Sequence, residues 1–352
     1  MSEADILFER RGAAGIVTLN RPKALNAVTH AMVLALRNQL DRWADDAAVT
    51  RVVITAVGAR AFSAGGDIRA LYELGKTGRH ENALQFWRDE YPLNAAIKRY
   101  RKPYVALIDG IAMGGGVGVS IHGSHRIAGD RFSFAMPEVG IGFFPDVGST
   151  WFLPRMPGEL GTYCALTGER FGVADAVASG LATHRISFAC FGELLDELTG
   201  TVSVDTVLAA FAEPVGQGPI MRRKPAIDRL FTGDVVENIL VALDREVSSG
   251  GANAEWAGKT AATMRTKSPL SLKLALAQVR RGKSWDFGTC MRMEFRIVSR
   301  IIHGHDFYEG VRAVIVDKDN KPRWRPATLP DVDEAEVERH FAPLGAHELA
   351  LP

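Results

Sequence analysis

The stretch Met113–Asp146, MGGGVGVSIHGSHRIAGDRFSFAMPEVGIGFFPD, decides how this chain is read. It holds a glycine cluster, then one carboxylate at Glu138 and a second at Asp146. A matching glycine pair lies upstream in FSAGGD, Phe62–Asp67. Each glycine segment follows an apolar run of strand length, RVVITAV (Arg51–Val57) before the first and PYVALI (Pro103–Ile108) before the second. Unbroken apolar runs of this kind suit strands covered on both faces. Ligands in α/β folds gather near the ends of such strands.

Working outward, IVTLN at Ile16–Asn20 is β-rich and bounded by Gly15 and Arg21-Pro22, so it reads as a strand. Thr29 can cap the helix that follows, whose buried face is Met32, Leu36, Leu40 and Trp43. Ile68 to about Lys76 reads as a helix and residues 77–82 as a polar loop. Leu84, Trp87 and Tyr91 mark another helix, disturbed at Pro92. Gly114–Gly116 opens a small-residue helix running to about Ile121. His125–Ala128 and Phe132–Ala135 read as short strands, and Pro145-Asp146 starts a helix carrying Trp151 and Phe152. Residues 1–185 therefore alternate strands with helices, an α/β arrangement that holds the site. Residues 186–352 read as a mainly helical C-terminal region, with Ser268-Pro269 starting a helix faced by Leu272, Leu276 and Val279. Residues 317–333 are charged and proline-rich, which suggests an irregular tail over the surface.

The totals exclude several function classes. The 352 residues carry 24% charged side chains and a net charge of +1, with no basic or acidic block. Nucleic acid and membrane surfaces are not expected partners. The three cysteines are scattered, so neither a disulfide framework nor a CxxC metal site is expected. The nine histidines show no metal-ligand spacing, and no metal is expected. The N-terminal MSEADILFERRG lacks the order of a signal peptide, and no apolar run approaches the roughly 20 residues of a membrane span. Together these features suggest a reduced, cytoplasmic setting.

The glycine segments are the first chemical signal. Without a Cβ, the backbone can approach a ligand closely, and the free N–H groups at a helix start favour negative charge. One N–H from each loop, at Gly66 and Gly115, can form an oxyanion hole for an acyl carbonyl. The plainer alternative is that these glycines only permit tight packing. The second signal is the carboxylate pair. Glu138 lies among Met136, Pro137, Phe143 and Phe144, where partial desolvation raises a carboxyl pKa and suits a base, nucleophile or acid. Its plainer reading is a structural ion pair, and that of Asp146 is a helix N-cap. A dinucleotide site is the rival: Gly114, Gly116 and Gly118 follow a strand, with an acid about 20 residues on. GGGVG is not GxGxxG, however, and the cluster is not at the first strand. His122 and His125 flank Ser124, but three neighbours in sequence rarely form a triad, and nothing in the sequence positions them.

At these residues the chain resembles the crotonase (enoyl-CoA hydratase/isomerase) superfamily. The matching pieces are LNRPKALNA (Leu19–Ala27), AFSAGGDIRALYE (Ala61–Glu73), DGIAMGGGVG (Asp109–Gly118), FAMPEVGIGFFPDVGSTWFLPR (Phe134–Arg155) and ALTGERFGVADAVASGLATH (Ala165–His184). The resemblance implies a spiral of ββα repeats, a CoA thioester as substrate rather than cofactor, and an oxyanion hole at Gly66 and Gly115. Family members often assemble as trimers or pairs of trimers, though the long C-terminal half could cover that surface. Hydratases of the family use two glutamates; one of those positions is Gly118 here and the other is Glu138. The pattern MPE…GFFPDVG, with Asp146, is similar to the branch of 3-hydroxyisobutyryl-CoA hydrolases, which implies a place in valine degradation. So does DFYEGVRAVIVDKDNKPRWRP (Asp306–Pro326). That match implies substrate contacts at Glu73, Gly115, Glu138 and Asp146, with Ala64 and Asp67 on the same loop. The expected activity is hydrolysis of a short 3-hydroxyacyl-CoA, catalysed by Glu138, Asp146, Gly66 and Gly115. A crotonase-fold isomerase or hydratase and a non-catalytic acyl-CoA-binding protein are the alternatives.

Overall fold

Two sheets share the strands. The computed structural model describes residues 4–351. A six-stranded sheet runs in the order β1 (Ile6–Arg11), β2 (Ala14–Leu19), β3 (Arg51–Ala56), β5 (Tyr104–Ile108), β7 (His125–Ala128) and β9 (His184–Arg185). A three-stranded sheet holds β4 (Ala61–Ser63), β6 (Ile111–Met113) and β8 (Ser133–Ala135). Among the strand pairs of the described residues, β1–β2 alone is antiparallel. The chain visits the sheets alternately. After β3 it crosses to β4, after β5 to β6 and after β7 to β8, with helical segments carrying it back each time. This is the expected spiral of ββα turns. Stacking in parallel register puts the loop after β4 beside the loop after β6 and the segment after β8.

The apolar runs in the large sheet are explained by two cores. Val17, Leu19, Val52, Ile54 and Ala106 face the main core. Ile16, Val53, Val105, Leu107 and Ile127 alternate with them and face a smaller core closed by Phe191, Leu194, Leu198 and Leu208. Side chains of a strand point alternately to the two faces, so a strand covered on both faces needs apolar residues at every position. The main core runs on into the C-terminal region through Leu272, Val279, Phe295, Val298, Ile302 and Phe307. The C-terminal helices are therefore packed onto the spiral itself.

Helix α1 (His30–Asp45) starts at Thr29, whose hydroxyl accepts the Met32 N–H at 3.2 Å. Helix α2 (Ile68–Lys76) is capped by Asp67. Local expectations are corrected in three helices. Helix α3 (His80–Lys98) begins inside the expected loop and passes through Pro92 unbroken. Proline in a helix interior costs roughly 3 kcal/mol. Here burial of Trp87, Tyr91, Leu93, Asn94 and Ala95 on the same helix outweighs that cost. Helix α4 (Gly115–Gly118) is a single turn and does not run to Ile121, since glycines propagate a helix poorly. Helix α5 (Ser149–Phe152) starts at Ser149, with Gly148 as its N-cap and no side-chain cap. Asp146 is therefore not a capping residue. Its backbone leads into Val147 at φ +52° and Gly148 at φ +90°, a left-handed pair that delays the helix.

Candidate active site

The loops after β4 and β6, the segment after β8 and helix α3 enclose a cavity of about 870 Å³. Gly65, Gly66, Gly114, Gly115, Glu138 and Asp146 line it. The first loop is held from behind by Val28, which follows the LNRPKALNA stretch. Val28 N–H donates to the Gly65 carbonyl, and Asp67 N–H to the Val28 carbonyl. In a parallel bridge of this kind the central residue, Gly66, points its own N–H to the opposite side. Gly115 is the first residue of α4, so its N–H has no partner within the helix. The two amides are neighbours: a Cβ built on Gly115 would lie 3.1 Å from the Gly66 nitrogen. That approach, and the φ of +45° with ψ −125° at Gly114, are why this turn is glycine. Neither N–H has an acceptor among the described residues, so both are available to one acyl oxygen.

Glu138 starts the 3-10 turn after β8 and is 6% exposed, with its Oε2 unpaired. Burial, and then the nearby Asp146 carboxylate, push its pKa well above the usual carboxylate range. Asp146 accepts the Tyr91 hydroxyl at 3.0 Å, and the Trp87 indole also bonds it. Burial raises Asp146 to about 7 in spite of these donors. An acid with a pKa near 7 can give or take a proton at neutral pH.

Sequence reasoning placed Glu73 at the site, and the structure corrects this. Glu73 is exposed on α2 and does not line the cavity, because Leu71 and Gly75 turn the other face of that helix to the core. A further carboxylate in the cavity is Glu90, on α3. It is 1% exposed, and its Oε1 has no hydrogen-bond partner. A Cβ on Gly115 would lie 2.8 Å from that atom, so Glu90 flanks the amide pair on one side while Glu138 lies against Gly114 on the other. Burial, with Asp146 and Glu294 nearby, keeps its pKa well above the usual range. No sequence motif marks Glu90; only its helical offset from Leu84 and Trp87, on a face expected to be apolar, could have drawn notice. Ala64 and Asp67 do line the cavity. The Asp67 carboxylate, though, is committed to the Ala70 N–H and to Arg21 at 3.2 Å.

The histidines are positioned after all. Ser124 Oγ lies 2.9 Å from His125 Nδ1, and His125 Nε2 lies 3.0 Å from Asp205. Ser124 Oγ is also bonded to both the N–H and the carbonyl of Tyr104, so this chain stitches β7 to β5. His122 Nε2 meets the Val147 carbonyl at 2.7 Å. A carbonyl only accepts, so Nε2 carries the proton; burial lowers this pKa to about 3 and keeps the ring neutral.

The enoyl-CoA hydratase/isomerase pattern matches residues 14–341. The chain belongs to that family. It is 43% identical to the zebrafish (Danio rerio) protein named 3-hydroxyisobutyryl-CoA hydrolase, mitochondrial, over 99% of this chain and 92% of that one. Among solved structures, one titled carnitinyl-CoA dehydratase from Mycobacterium thermoresistibile superposes with a TM-score of 0.92 at 43% identity, over 99% of each chain. One titled enoyl-CoA hydratase from Rhodobacter sphaeroides superposes with a TM-score of 0.92 at 38% identity, over 99% of this chain and 100% of that one. The cytoplasmic expectation is overturned by the mitochondrial name of the zebrafish relative. Scattered cysteines and an ordinary charge balance do not tell these compartments apart.

Proposed function

We propose that this family member is an acyl-CoA thioester hydrolase that splits 3-hydroxyisobutyryl-CoA, or a near 3-hydroxyacyl homologue, into the hydroxy acid and free CoA. The observation that carries the reading is the pairing of Glu138 and Asp146 across a cavity with two free amides, while position 118 offers no carboxylate. Water addition in this family needs a second glutamate there. The relatives titled hydratase and dehydratase favour that second reading. The geometry of this site opposes it, and a double-bond isomerase would leave Asp146 idle.

The thioester oxygen would sit between the Gly66 and Gly115 N–H groups, which stabilise the negative charge that develops on it. Such donors supply roughly 3–4 kcal/mol each. Glu138, as its carboxylate, attacks the carbonyl carbon or takes a proton from the water that does. The C–S bond breaks, and the departing thiolate leaves with a proton from the neighbouring acid, Asp146. On the first path a water then opens the anhydride, giving its hydroxyl to the acyl carbon and a proton to the Asp146 carboxylate, which returns Glu138 and releases the hydroxy acid; on the second, the proton taken by Glu138 passes back to Asp146. Glu90 takes the place expected of Glu73, with an unpaired oxygen free for the 3-hydroxyl. Lys23, Lys267 and Lys318 lie around the same cavity and offer cations to the CoA phosphates.

Thiol release from a panel of short 3-hydroxyacyl-CoA and 2-enoyl-CoA esters tests the reading. The expected result is fastest release from 3-hydroxyisobutyryl-CoA with no change in enoyl absorbance. Hydration of the enoyl ester without thiol release would overturn it.

A further inference from the structure

The turn that presents Asp146 is built from outside the spiral. Val147 is β-branched and sits at φ +52°, a conformation such residues rarely adopt. Something must hold it there. Two helices of the C-terminal region do so. From the helix Phe287–Ile301, Glu294 reaches in with no exposed surface. Its Oε2 accepts the Gly148 N–H at 2.7 Å and its Oε1 the Thr150 N–H at 2.8 Å. From the helix Pro269–Gly282, Gln278 Nε2 donates to the Pro145 carbonyl at 2.6 Å and to Ser149 Oγ at 3.1 Å. His122 takes the remaining carbonyl, that of Val147. The residues on both sides of Asp146 are thereby tied down, and only its carboxylate is left facing the cavity and Tyr91.

We infer that Glu294, assisted by Gln278, is a positioning residue that sets the place of the Asp146 carboxylate, so that the C-terminal helices are part of the catalytic apparatus. No cation pairs with Glu294 among the described residues. The titratable groups around it are Asp146, Glu90 and Tyr91 across the turn, His122 behind it, and Cys290 on its own helix. A buried carboxyl group that accepts two backbone amides and meets no cation is costly to keep as a mere helix contact. Its two bonds both go to the turn after Asp146.

This inference deepens the hydrolase reading and rests on it for its kinetic arm. In thiol release from 3-hydroxyisobutyryl-CoA, Glu294→Gln replaces one acceptor with a donor that faces a backbone N–H. We expect kcat to fall about 10- to 100-fold with KM within twofold of wild type, in the range typical of a lost acid–base contribution. The loss should vanish when the same change is made on Asp146→Asn, because both act through one group. Equal losses in both backgrounds would overturn the inference, as would a loss explained by a smaller folded fraction. If Glu294→Gln does not accumulate as folded protein, Gln278→Leu is the milder variant, expected to lower kcat several-fold with the same non-additivity. A second arm needs no turnover: the Asp146 carboxyl carbon, followed by ¹³C NMR against pH, should titrate at a different pH in Glu294→Gln than in wild type, because a displaced carboxyl changes its burial and its bond to Tyr91. An unmoved resonance would sink the inference even if the protein proves to be a hydrolase. Absence of thiol release from the wild type would sink the hydrolase reading and leave the NMR arm to decide.

Discussion

The Val147 side chain occupies the space that a side chain at Gly118 would need. A Cβ built on Gly118 lies 3.0 Å from Val147 Cβ and 2.8 Å from Asn94 Nδ2, both closer than ordinary contact. Position 118 is thus not a simple vacancy, since Val147 of the Asp146 turn fills the space beside it. Gly118→Ala should destabilise the fold by about 1–3 kcal/mol through overpacking, read as a lower denaturation midpoint. It should also lower kcat, because any shift of Val147 moves its neighbour Asp146. Gly118→Glu should not gain water addition to a 2-enoyl-CoA. Measurable loss of enoyl absorbance by that variant would show that the position is open after all.

Glu138→Gln should reduce turnover by at least about 100-fold while binding of the CoA ester, measured by calorimetry, stays within a few-fold. The amide keeps the shape of the side chain, and burial already disfavours the charged form of Glu138. Fold stability should therefore be equal to or above that of the wild type. A variant retaining more than a tenth of wild-type kcat would remove Glu138 from the chemistry.

Glu90 and Glu73 make a matched pair of opposite expectation. Glu73→Ala changes an exposed side chain outside the cavity, so thiol release should stay within twofold and stability within about 0.5 kcal/mol. Glu90→Gln alters an unpaired buried oxygen beside the two amides. It should raise KM for the 3-hydroxy ester several-fold more than for the ester lacking the hydroxyl. Equal effects on both esters would mean that Glu90 does not read the hydroxyl.

The parts of this site that could be read from sequence are those written in local chemistry. The runs at β3 and β5 carry apolar residues on both faces because two cores flank them, and the glycines at 65–66 and 114–116 mark a close backbone approach. Strand β1 was not anticipated, since it pairs at the sheet edge and buries little of itself. Asp146 looked like a cap because a left-handed valine cannot be foreseen from a proline–aspartate start. Glu90, Gln278 and Glu294 were silent for another reason. Each sits mid-helix and gains its role only by meeting a loop far away in the chain, as Glu294 does with Gly148. Spacing rules describe neighbours along one element, and these contacts cross elements.

The pH dependence of stability follows from the direction of the carboxyl shifts. Burial raises Asp146 from 3.8 to about 7 and Glu294 from 4.5 to about 8, and it raises Glu90 and Glu138 as well. Below its ordinary value each group is protonated in both the folded and the unfolded chain, and its contribution is fully present. Above that value the unfolded chain releases a proton that the folded protein still holds, so unfolding becomes easier as pH rises. For Asp146 this loss spans the window from about 3.8 to about 7. Carboxylates with lowered values, such as the exposed Asp130 and the half-buried Glu309, act in the opposite direction at acid pH and would mask the effect in a single curve. Comparison with Asp146→Asn cancels them, because asparagine does not titrate and can still accept from Tyr91. The stability of the wild type relative to Asp146→Asn, from urea denaturation, should therefore be greatest near pH 4, fall steadily to about pH 7 and then level off. A difference that grows with pH would mean that Asp146 is held as an anion in the folded protein, and its assignment as the proton donor to the leaving thiolate would have to be abandoned.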